Sequence, residues 1–349
     1  MTIKHIVLGG GGPFGIVAFG ALKYLHDIKF WNIKDIKSIY ATSIGSLLSV
    51  FLTLGYDYDY IYDYIVKRPW EKLFSDIGME NFIDFYNKRG LIDLYPIYFG
   101  SFNMLLEANG LSPNITLKEY YEFCGIDLYF ITTEVNHFNK VVLSHKTHPD
   151  LELITSLCMS GSFPGLFRPI VIDDKCYTDG GIFCNYPVKH CLDDTGCDKN
   201  EILGLRKIGD SVNVLINNDS TILEYFSKMI DNMIEYINDD KGIPNIPYDI
   251  ECDMNIFSSY EAWINVPISQ EHRAALIDKG SEYGKANYEK WVQQNIINIK
   301  NDDNADNADN ADNADNAEDV DDNGDDNRSD NNLVLASDPD SLAPNNEEL

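Results

Sequence analysis

The start of the chain alternates between two hydrophobic periods, that of a buried strand and that of a helix. Residues 3–8 form a short apolar run that predicts a buried strand, and residues 15–28 repeat apolar side chains at helical spacing. The same succession follows directly, with a predicted strand over 36–42 and an apolar helix over 45–55. Parallel strands are joined by such crossover helices, so this opening predicts a parallel sheet flanked by helices.

The pattern after this opening is less regular. Residues 56–123 have a mostly helical pattern, although tyrosine at every second position from Tyr56 to Tyr64 is equally compatible with a strand. Two strands joined by a turn are predicted over 126–135 and 139–145. We further predict a helix over 151–162, strands within 163–172, 201–208 and 212–216, and amphipathic helices over 221–237 and 270–296.

These elements predict an α/β fold, a three-layer sandwich with a mainly parallel central sheet, in residues 1–210. We expect residues 211–298 to form a mainly helical C-terminal extension packed on that domain. Residues 299–349 contain an Asn-Ala-Asp triplet array with many charges and few large apolar groups. Such a segment cannot form a core, so we predict a disordered acidic tail.

The charge distribution excludes one class of partner. The formal net charge is -29, and residues 301–349 contain 17 Asp and Glu against one Arg, so the rest of the chain is acidic as well. An acidic body repels the phosphate backbone of nucleic acids, and we expect no nucleic-acid partner.

Cysteine spacing and apolar runs bear on cofactors and on location. The seven cysteines include no C-x-x-C pair, which favours reduced thiols over disulfides and predicts no metal site. The apolar stretch at the N-terminus is too short for a signal peptide, and the run over 41–55 is short of the roughly 20 residues that span a bilayer. We therefore expect a soluble cytoplasmic protein whose membrane contact, if any, is peripheral.

The glycine-rich loop GGGGPFG at residues 9–15 has two interpretations, since both a nucleotide phosphate and an ester oxyanion bind to backbone N–H groups at a helix N-terminus. Gly10, Gly12 and Gly15 satisfy the G-x-G-x-x-G fingerprint of dinucleotide binding. That fingerprint requires an acidic residue at the end of the second strand, whereas Asp35 precedes that strand. The sequence therefore favours the oxyanion interpretation, and we expect no cofactor.

The segment ATSIG, at the end of the second predicted strand, has the pattern of a nucleophile elbow. Ser43 lies at the turn from strand to helix, and the residues two before and two after it, Ala41 and Gly45, are small, as a strained turn requires. The N–H of Ile44, together with N–H groups of Gly11 and Gly12, would then bind the oxyanion. A tightly packed strand-helix turn without catalysis explains the same letters.

A serine nucleophile also needs a base, and Asp179 is a candidate because it precedes Gly180 and Gly181 in the segment YTDGG. Asp-Gly is equally a common hairpin turn. A triad that uses His190 or His272 in place of a direct aspartate base is a further alternative.

Taken together, the glycine loop, the Ser43 elbow and the later Asp-Gly-Gly resemble the patatin-like phospholipases over roughly residues 5–190. The segment SGSFPGLFRPI is also similar to the family segment that leads to the aspartate. The resemblance implies a Ser43–Asp179 dyad without histidine. It also implies an oxyanion loop of Gly10, Gly11 and Gly12, with Gly15 opening the helix.

This resemblance implies an enzyme that cleaves carboxylic esters of phospholipids or related lipids. Two residues depart from the family pattern: Phe14 stands where the family often has Arg or Lys, and Ala41 replaces the first glycine of the elbow. Because of these departures, a non-catalytic protein that keeps the fold and binds an acyl lipid or a partner remains the alternative.

Overall fold

The computed structural model describes residues 2–73, 87–208, 215–218, 242–254 and 266–314, together with single or paired residues between 220 and 237. Part of the predicted helical region at 74–86, most of the predicted strand at 212–216, much of the predicted helix at 221–237 and the tail from 315 onward lie outside the described residues. The chain divides into a unit over Met1–Gln294 and a unit over Asn295–Leu349.

Strands and helices are interspersed along the described residues. The strands are β1 His5–Leu8, β2 Ser38–Thr42, β3 Gly90–Ile92, β4 Asp127–Glu134, β5 Asn139–Leu143, β6 Gly165–Phe167, β7 Ile170–Ile172, β8 Lys175–Asp179, β9 Ile202–Ile208 and β10 Tyr248–Asp253. The α-helices are α1 Phe14–Asp27, α2 Ile44–Thr53, α3 Tyr58–Lys67, α4 Leu94–Ala108, α5 Leu117–Cys124, α6 Leu153–Gly161, α7 Gly181–Cys184, α8 Val188–Thr195 and α9 Gln270–Ala314. Short 3-10 helices cover Ile33–Asp35, Trp70–Leu73 and Lys199–Glu201.

The main sheet of the described residues has the order β10-β9-β1-β2-β4-β8-β7, with β5 paired to β4. In this order, β10, β9, β1, β2 and β4 are mutually parallel. β5 and β8 pair antiparallel with β4, and β7 pairs antiparallel with β8. A small second sheet pairs β3 with β6. The prediction of a mainly parallel central sheet is confirmed.

Side chains of the parallel strands alternate between two apolar layers. Ile6 and Leu8 of β1 face the larger core cluster, which contains residues of α1 and α2, whereas Val7 faces a second cluster with Val188 and Cys191 of α8. A strand that is buried on both faces reads as a continuous apolar run, which explains the HIVL pattern. The three-layer prediction is thus confirmed.

The tyrosine-rich stretch is helical. Asp57 caps α3 by accepting a hydrogen bond from the N–H of Asp59, and the buried residues Tyr58, Ile61 and Ile65 recur at intervals of three and four. The helical spacing of these buried residues explains why the stretch is a helix, whereas the alternating tyrosines alone are also compatible with a strand. The edge strand β10, by contrast, was not predicted.

The last helix reaches further than the sequence predicts. α9 continues to Ala314, so the backbone of residues 299–314 is helical where the composition predicts disorder. Each Asn-Ala-Asp triplet contains alanine, the strongest helix former, and extending an existing helix costs far less than starting one. Among the described residues, none of the helices is sufficiently long and apolar to cross a membrane.

Two glycines bring α1 and α9 into close contact within the first unit. A Cβ atom on Gly20 would lie 2.0 Å from the carbonyl oxygen of Ile277, and one on Gly280 would lie 1.9 Å from that of Val17. Real Cβ atoms do not approach oxygen so closely, hence only glycine permits this crossing. Arg273 of α9 is buried and donates hydrogen bonds to carbonyl oxygens of Val66 and Arg68 near the end of α3.

We predict that Gly280→Ala lowers the free energy of unfolding by about 1–3 kcal/mol because the methyl group forces the helices apart. Helix propensity alone would raise the free energy of unfolding by up to about 1 kcal/mol, because alanine replaces glycine. A net loss of stability would therefore show that the added methyl group disturbs the contact between α1 and α9. Gly284→Ala is the matched control, since its Cβ would lie 3.0 Å from the oxygen of Ala21 and should cost less. Urea unfolding of both variants tests this, and a Gly280→Ala variant as stable as the wild type would contradict it.

Candidate active site

The sheet register brings the predicted site segments together. β1 and β2 are parallel, so the glycine loop after β1 and Ser43 after β2 emerge at the same edge of the sheet. In β4, Ile131 pairs with Thr42, and the next residue, Thr132, pairs with Asp179 at the end of β8. Thr42, which precedes Ser43, and Asp179 therefore lie at the same level on opposite sides of β4.

Ser43 has the backbone of a strained elbow. Its φ of 55° and ψ of -124° lie in a region that non-glycine residues rarely adopt, at the N-cap of α2. Gly45 is required sterically, because a Cβ there would lie 2.7 Å from the carbonyl oxygen of Leu8. Gly15 is required likewise, since its Cβ would lie 2.3 Å from Cγ1 of Ile44. The methyl group of Ala41 is fully buried in the core, so the turn accommodates it.

Asp179 is a buried carboxylate, 4% exposed, with two partners at its side chain. Oδ1 accepts a hydrogen bond from the N–H of Gly181 at 2.7 Å, and the hydroxyl of Ser43 lies close enough to the carboxylate to lower its pKa. Burial raises the pKa of Asp179 from 3.8 to about 6, while the Ser43 hydroxyl and the Gly181 N–H oppose the rise. Glycine at position 180 allows the backbone after β8 to lie close to β4, because a Cβ there would lie 2.2 Å from the carbonyl oxygen of Ile131.

Two serines at the end of α6 hold both segments in place. Ser160 Oγ accepts the N–H of Ser43 at 3.0 Å, lies 2.9 Å from Ser46 Oγ, and donates to the oxygen of Ile131 at 2.7 Å. The carbonyl oxygen of Ser162 accepts the N–H of Asp179 at 3.0 Å. Sequence reasoning did not identify these roles, and the run of small residues just before Phe163 was the only local signal.

The glycine loop differs from the prediction at Gly10. Its N–H donates to the backbone oxygen of Asn185 at 3.1 Å, so this group is occupied and is not an oxyanion donor in this arrangement. A Cβ on Gly10 would lie 2.5 Å from Oδ1 of Asn185 and 3.0 Å from Cβ of Ser43, so Gly10 is needed for close approach instead. Asn185 was also not foreseen from the sequence.

Gly11, Gly12 and Ile44 remain the candidate oxyanion donors. Gly11 and Gly12 have φ values of 147° and 56°, and both are partly exposed beside the partly exposed Ser43. Ile44 is the first residue of α2, where the backbone N–H has no acceptor within the helix. Together with the positive end of the α2 dipole, these groups favour negative charge next to Ser43.

In the part of the chain that the structure describes, the hydrogen bonds of Ser43 and Asp179 involve no histidine. His190 instead lies 3.5 Å from Asp194, and its ring packs against Tyr40. The backbone N–H of His272 donates to Ser269. These contacts of His190 and His272 give no support to the triad alternative. Within the same described residues, no three His, Cys, Asp or Glu side chains are grouped to hold a metal ion.

Comparison with known proteins shows which family the chain is similar to. The family model "Patatin-like phospholipase" matches residues 6–192. A probable lipid hydrolase, 463L, of Invertebrate iridescent virus 6 is 30% identical over 191 residues, which is 53% of this chain and 62% of that protein. An uncharacterised protein of Bacillus subtilis, YqhO, is 26% identical over 200 residues, 52% of this chain and 64% of that protein. The chain thus spans less than two thirds of these relatives.

The fold is also found among solved structures. The crystal structure of VipD from Legionella pneumophila matches with a TM-score of 0.50 at 15% identity, covering 83% of this chain and 67% of that chain. At this identity the match concerns the fold alone.

We predict that Ser160→Ala lowers the free energy of unfolding by about 2–3 kcal/mol, because it removes the hydrogen bonds of Ser160 Oγ with the N–H of Ser43 and with the carbonyl oxygen of Ile131. Ser156→Ala is a matched control on the same helix, since Ser156 is also buried but bonds only to the local oxygen of Leu153. That change should cost about 1 kcal/mol. Equal losses in denaturant unfolding would show that the contact with the elbow contributes nothing.

Proposed function

Because the chain belongs to the patatin-like phospholipase family, we propose that it is a lipid acyl hydrolase that cleaves carboxylic esters through a Ser43–Asp179 dyad. One observation carries the proposal: the hydroxyl of a serine held in a strained elbow lies close enough to the buried carboxylate of Asp179 to lower its pKa. A noncatalytic strand-helix turn has no need for either the strain or the buried charge. The relative described as a probable lipid hydrolase supports the same substrate class.

Acyl transfer begins with attack of Ser43 Oγ on the carbonyl carbon of the ester, while Asp179 accepts the hydroxyl proton. The carbonyl oxygen becomes an oxyanion, which the N–H groups of Gly11, Gly12 and Ile44 stabilise. Asp179 then returns its proton to the leaving alcohol, and an acyl-enzyme ester remains on Ser43. Water then attacks this ester while Asp179 accepts one of its protons, and Asp179 passes that proton to Ser43 Oγ as the fatty acid is released.

The raised pKa of Asp179 makes this chemistry feasible near neutral pH. A carboxylate of ordinary pKa is a weak base, whereas one near 6 binds the serine proton about a hundredfold more strongly. It is still mostly ionised at pH 7, as a base must be. The remaining barrier is lowered by the oxyanion donors, since each such donor contributes roughly 3–4 kcal/mol in a comparable hydrolase.

We predict that wild-type protein reacts with a fluorophosphonate probe and hydrolyses a short-chain p-nitrophenyl ester, and that Ser43→Ala abolishes both. Asp179→Asn should lower hydrolysis by at least about 10³-fold because no base remains. His190→Ala and His272→Ala are the controls and should keep at least half of the activity. Loss of activity in either histidine variant would favour the triad, and folded wild type that is neither labelled nor active would favour the noncatalytic binding protein.

We predict an acid limb in the pH profile of kcat/KM with an apparent pKa of about 6, set by Asp179. The base must be ionised in the free enzyme, so kcat/KM should fall about tenfold per pH unit below that value. Ester hydrolysis measured from pH 4 to 8 tests this assignment. A profile flat down to pH 4.5 would exclude a base with a raised pKa.

We predict that Asp179→Asn stabilises the protein at pH 7 by up to about 3 kcal/mol, the free-energy equivalent of the pKa shift. The folded pKa of this acid is raised, so ionisation penalises the folded state. The penalty is absent below the ordinary pKa near 4 and complete above about 6. The advantage of the variant should therefore vanish as the pH falls from 7 to 4, in denaturant unfolding at each pH. Equal stability at pH 7 would contradict the raised pKa.

A further inference from the structure

Apolar side chains are exposed on a surface formed by the tips of two neighbouring hairpins and by α7. Val135 and Phe138, in the turn between β4 and β5, are 41% and 52% exposed, and Val171 of β7 is 52% exposed. The ring of Phe138 lies 4.8 Å from that of Phe183 in α7. We call Val135, Phe138, Val171 and Phe183 the hairpin-tip surface.

The two hairpin tips are fixed to each other. The N–H of Val135 donates to the oxygen of Cys176 at 2.7 Å, and Nδ2 of Asn136 donates to the oxygen of Asp174 at 2.8 Å. The buried carboxylate of Glu134 accepts the N–H groups of Asn136 and His137, which closes the first turn. The exposed apolar groups therefore stand on an ordered platform.

Phe138 is held in an unfavourable conformation. Its φ of 50° is in the left-handed region, where a bulky residue costs of order 1 kcal/mol and asparagine or glycine is preferred. The ring contacts Phe183, but half of its surface stays exposed and gains no burial energy in return. A group that costs stability and faces outward indicates a contact outside the chain.

The hairpin-tip surface adjoins the proposed active site. Phe183 lies in α7, the helix that begins at Gly181, whose N–H holds the Asp179 carboxylate. The next residue, Cys184, accepts a hydrogen bond at its oxygen from Thr42 Oγ1 at 2.8 Å, and Thr42 precedes Ser43. A lipid layer in contact with this surface would thus lie beside the reactive serine.

Charge favours one kind of lipid surface. The two tips, residues 134–140 and 173–175, contain Lys140 and Lys175 against Glu134, Asp173 and Asp174, so their formal net charge is -1 in a chain of formal net charge -29. The tips therefore approach zwitterionic headgroups with little net charge of their own, whereas the acidic chain as a whole is not attracted to anionic lipid.

We propose that the hairpin-tip surface docks on a zwitterionic phospholipid interface, with Phe138 and Val171 entering the headgroup region. Aromatic and aliphatic side chains on a surface of low net charge suit this boundary. The inference rests on the proposed function for its choice of a lipid partner, but the docking itself needs no catalysis. It also gives the enzyme a way to reach an ester within an aggregated substrate.

The test measures binding of the full-length Ser43→Ala protein to phosphatidylcholine vesicles by flotation, since this variant leaves the lipid intact. In that background, Phe138→Asn combined with Val171→Asn should lower vesicle partitioning by about tenfold or more. Met104→Asn is the matched control, because Met104 is 61% exposed on α4, whose end packs against the far end of α2. It should leave partitioning unchanged.

Two further measurements separate docking from folding and from catalysis. Asparagine tolerates the backbone of residue 138, so Phe138→Asn should not lower the melting temperature. In the background with Ser43 intact, the double variant should hydrolyse a soluble short-chain ester at the wild-type rate and phosphatidylcholine vesicles at a reduced rate.

Several results would overturn the docking proposal: no vesicle binding by the Ser43→Ala protein, equal binding by the double variant, or a dimer in solution that the double variant abolishes. The last result would assign the surface to a second copy of the chain. Surface-dependent vesicle binding without any ester hydrolysis would instead reject the proposed function and leave the docking intact.

Discussion

The pairing of two consecutive residues of β4 determines where the side chains of the proposed dyad lie. Ile131 pairs with Thr42 of β2, and Thr132 pairs with Asp179 of β8. Ile131 also accepts the hydrogen bond from Ser160, which in turn accepts the N–H of Ser43. Side chains alternate along a strand, so a slip of one residue in either pairing would turn the side chains of Ser43 and Asp179 away from each other. The site therefore depends on the register of β4.

The site concentrates features that cost stability. Ser43 has a strained backbone, and Asp179 is a buried carboxylate whose raised pKa records the desolvation of its charge. The apolar clusters on both faces of the sheet supply the burial that offsets these costs. This division between a stabilising core and a strained edge is expected where a fold positions a reactive group.

The sequence predicts what is local and misses what is distant. Periodicity identified β1, α1, β2 and α2, because each pattern is contained in one segment. It did not reveal that the N–H of Gly10 is taken by Asn185, or that Ser160 supports Ser43, since these partners are 175 and 117 residues apart. The unpredicted strand β10 likewise exists through its pairing with β9. Such contacts follow from strand order, which no local pattern contains.

The strands that set the register also carry the hairpin-tip surface. β4 ends at Glu134, one residue before Val135, and β8 runs directly from Lys175 at the second tip to Asp179. The hydrogen bonds between the tips therefore connect the outer surface to the strand pairing that positions Asp179. A lipid layer bound at the tips would meet Ser43 at an orientation fixed by the sheet, so docking and positioning of the ester would be a single event rather than two.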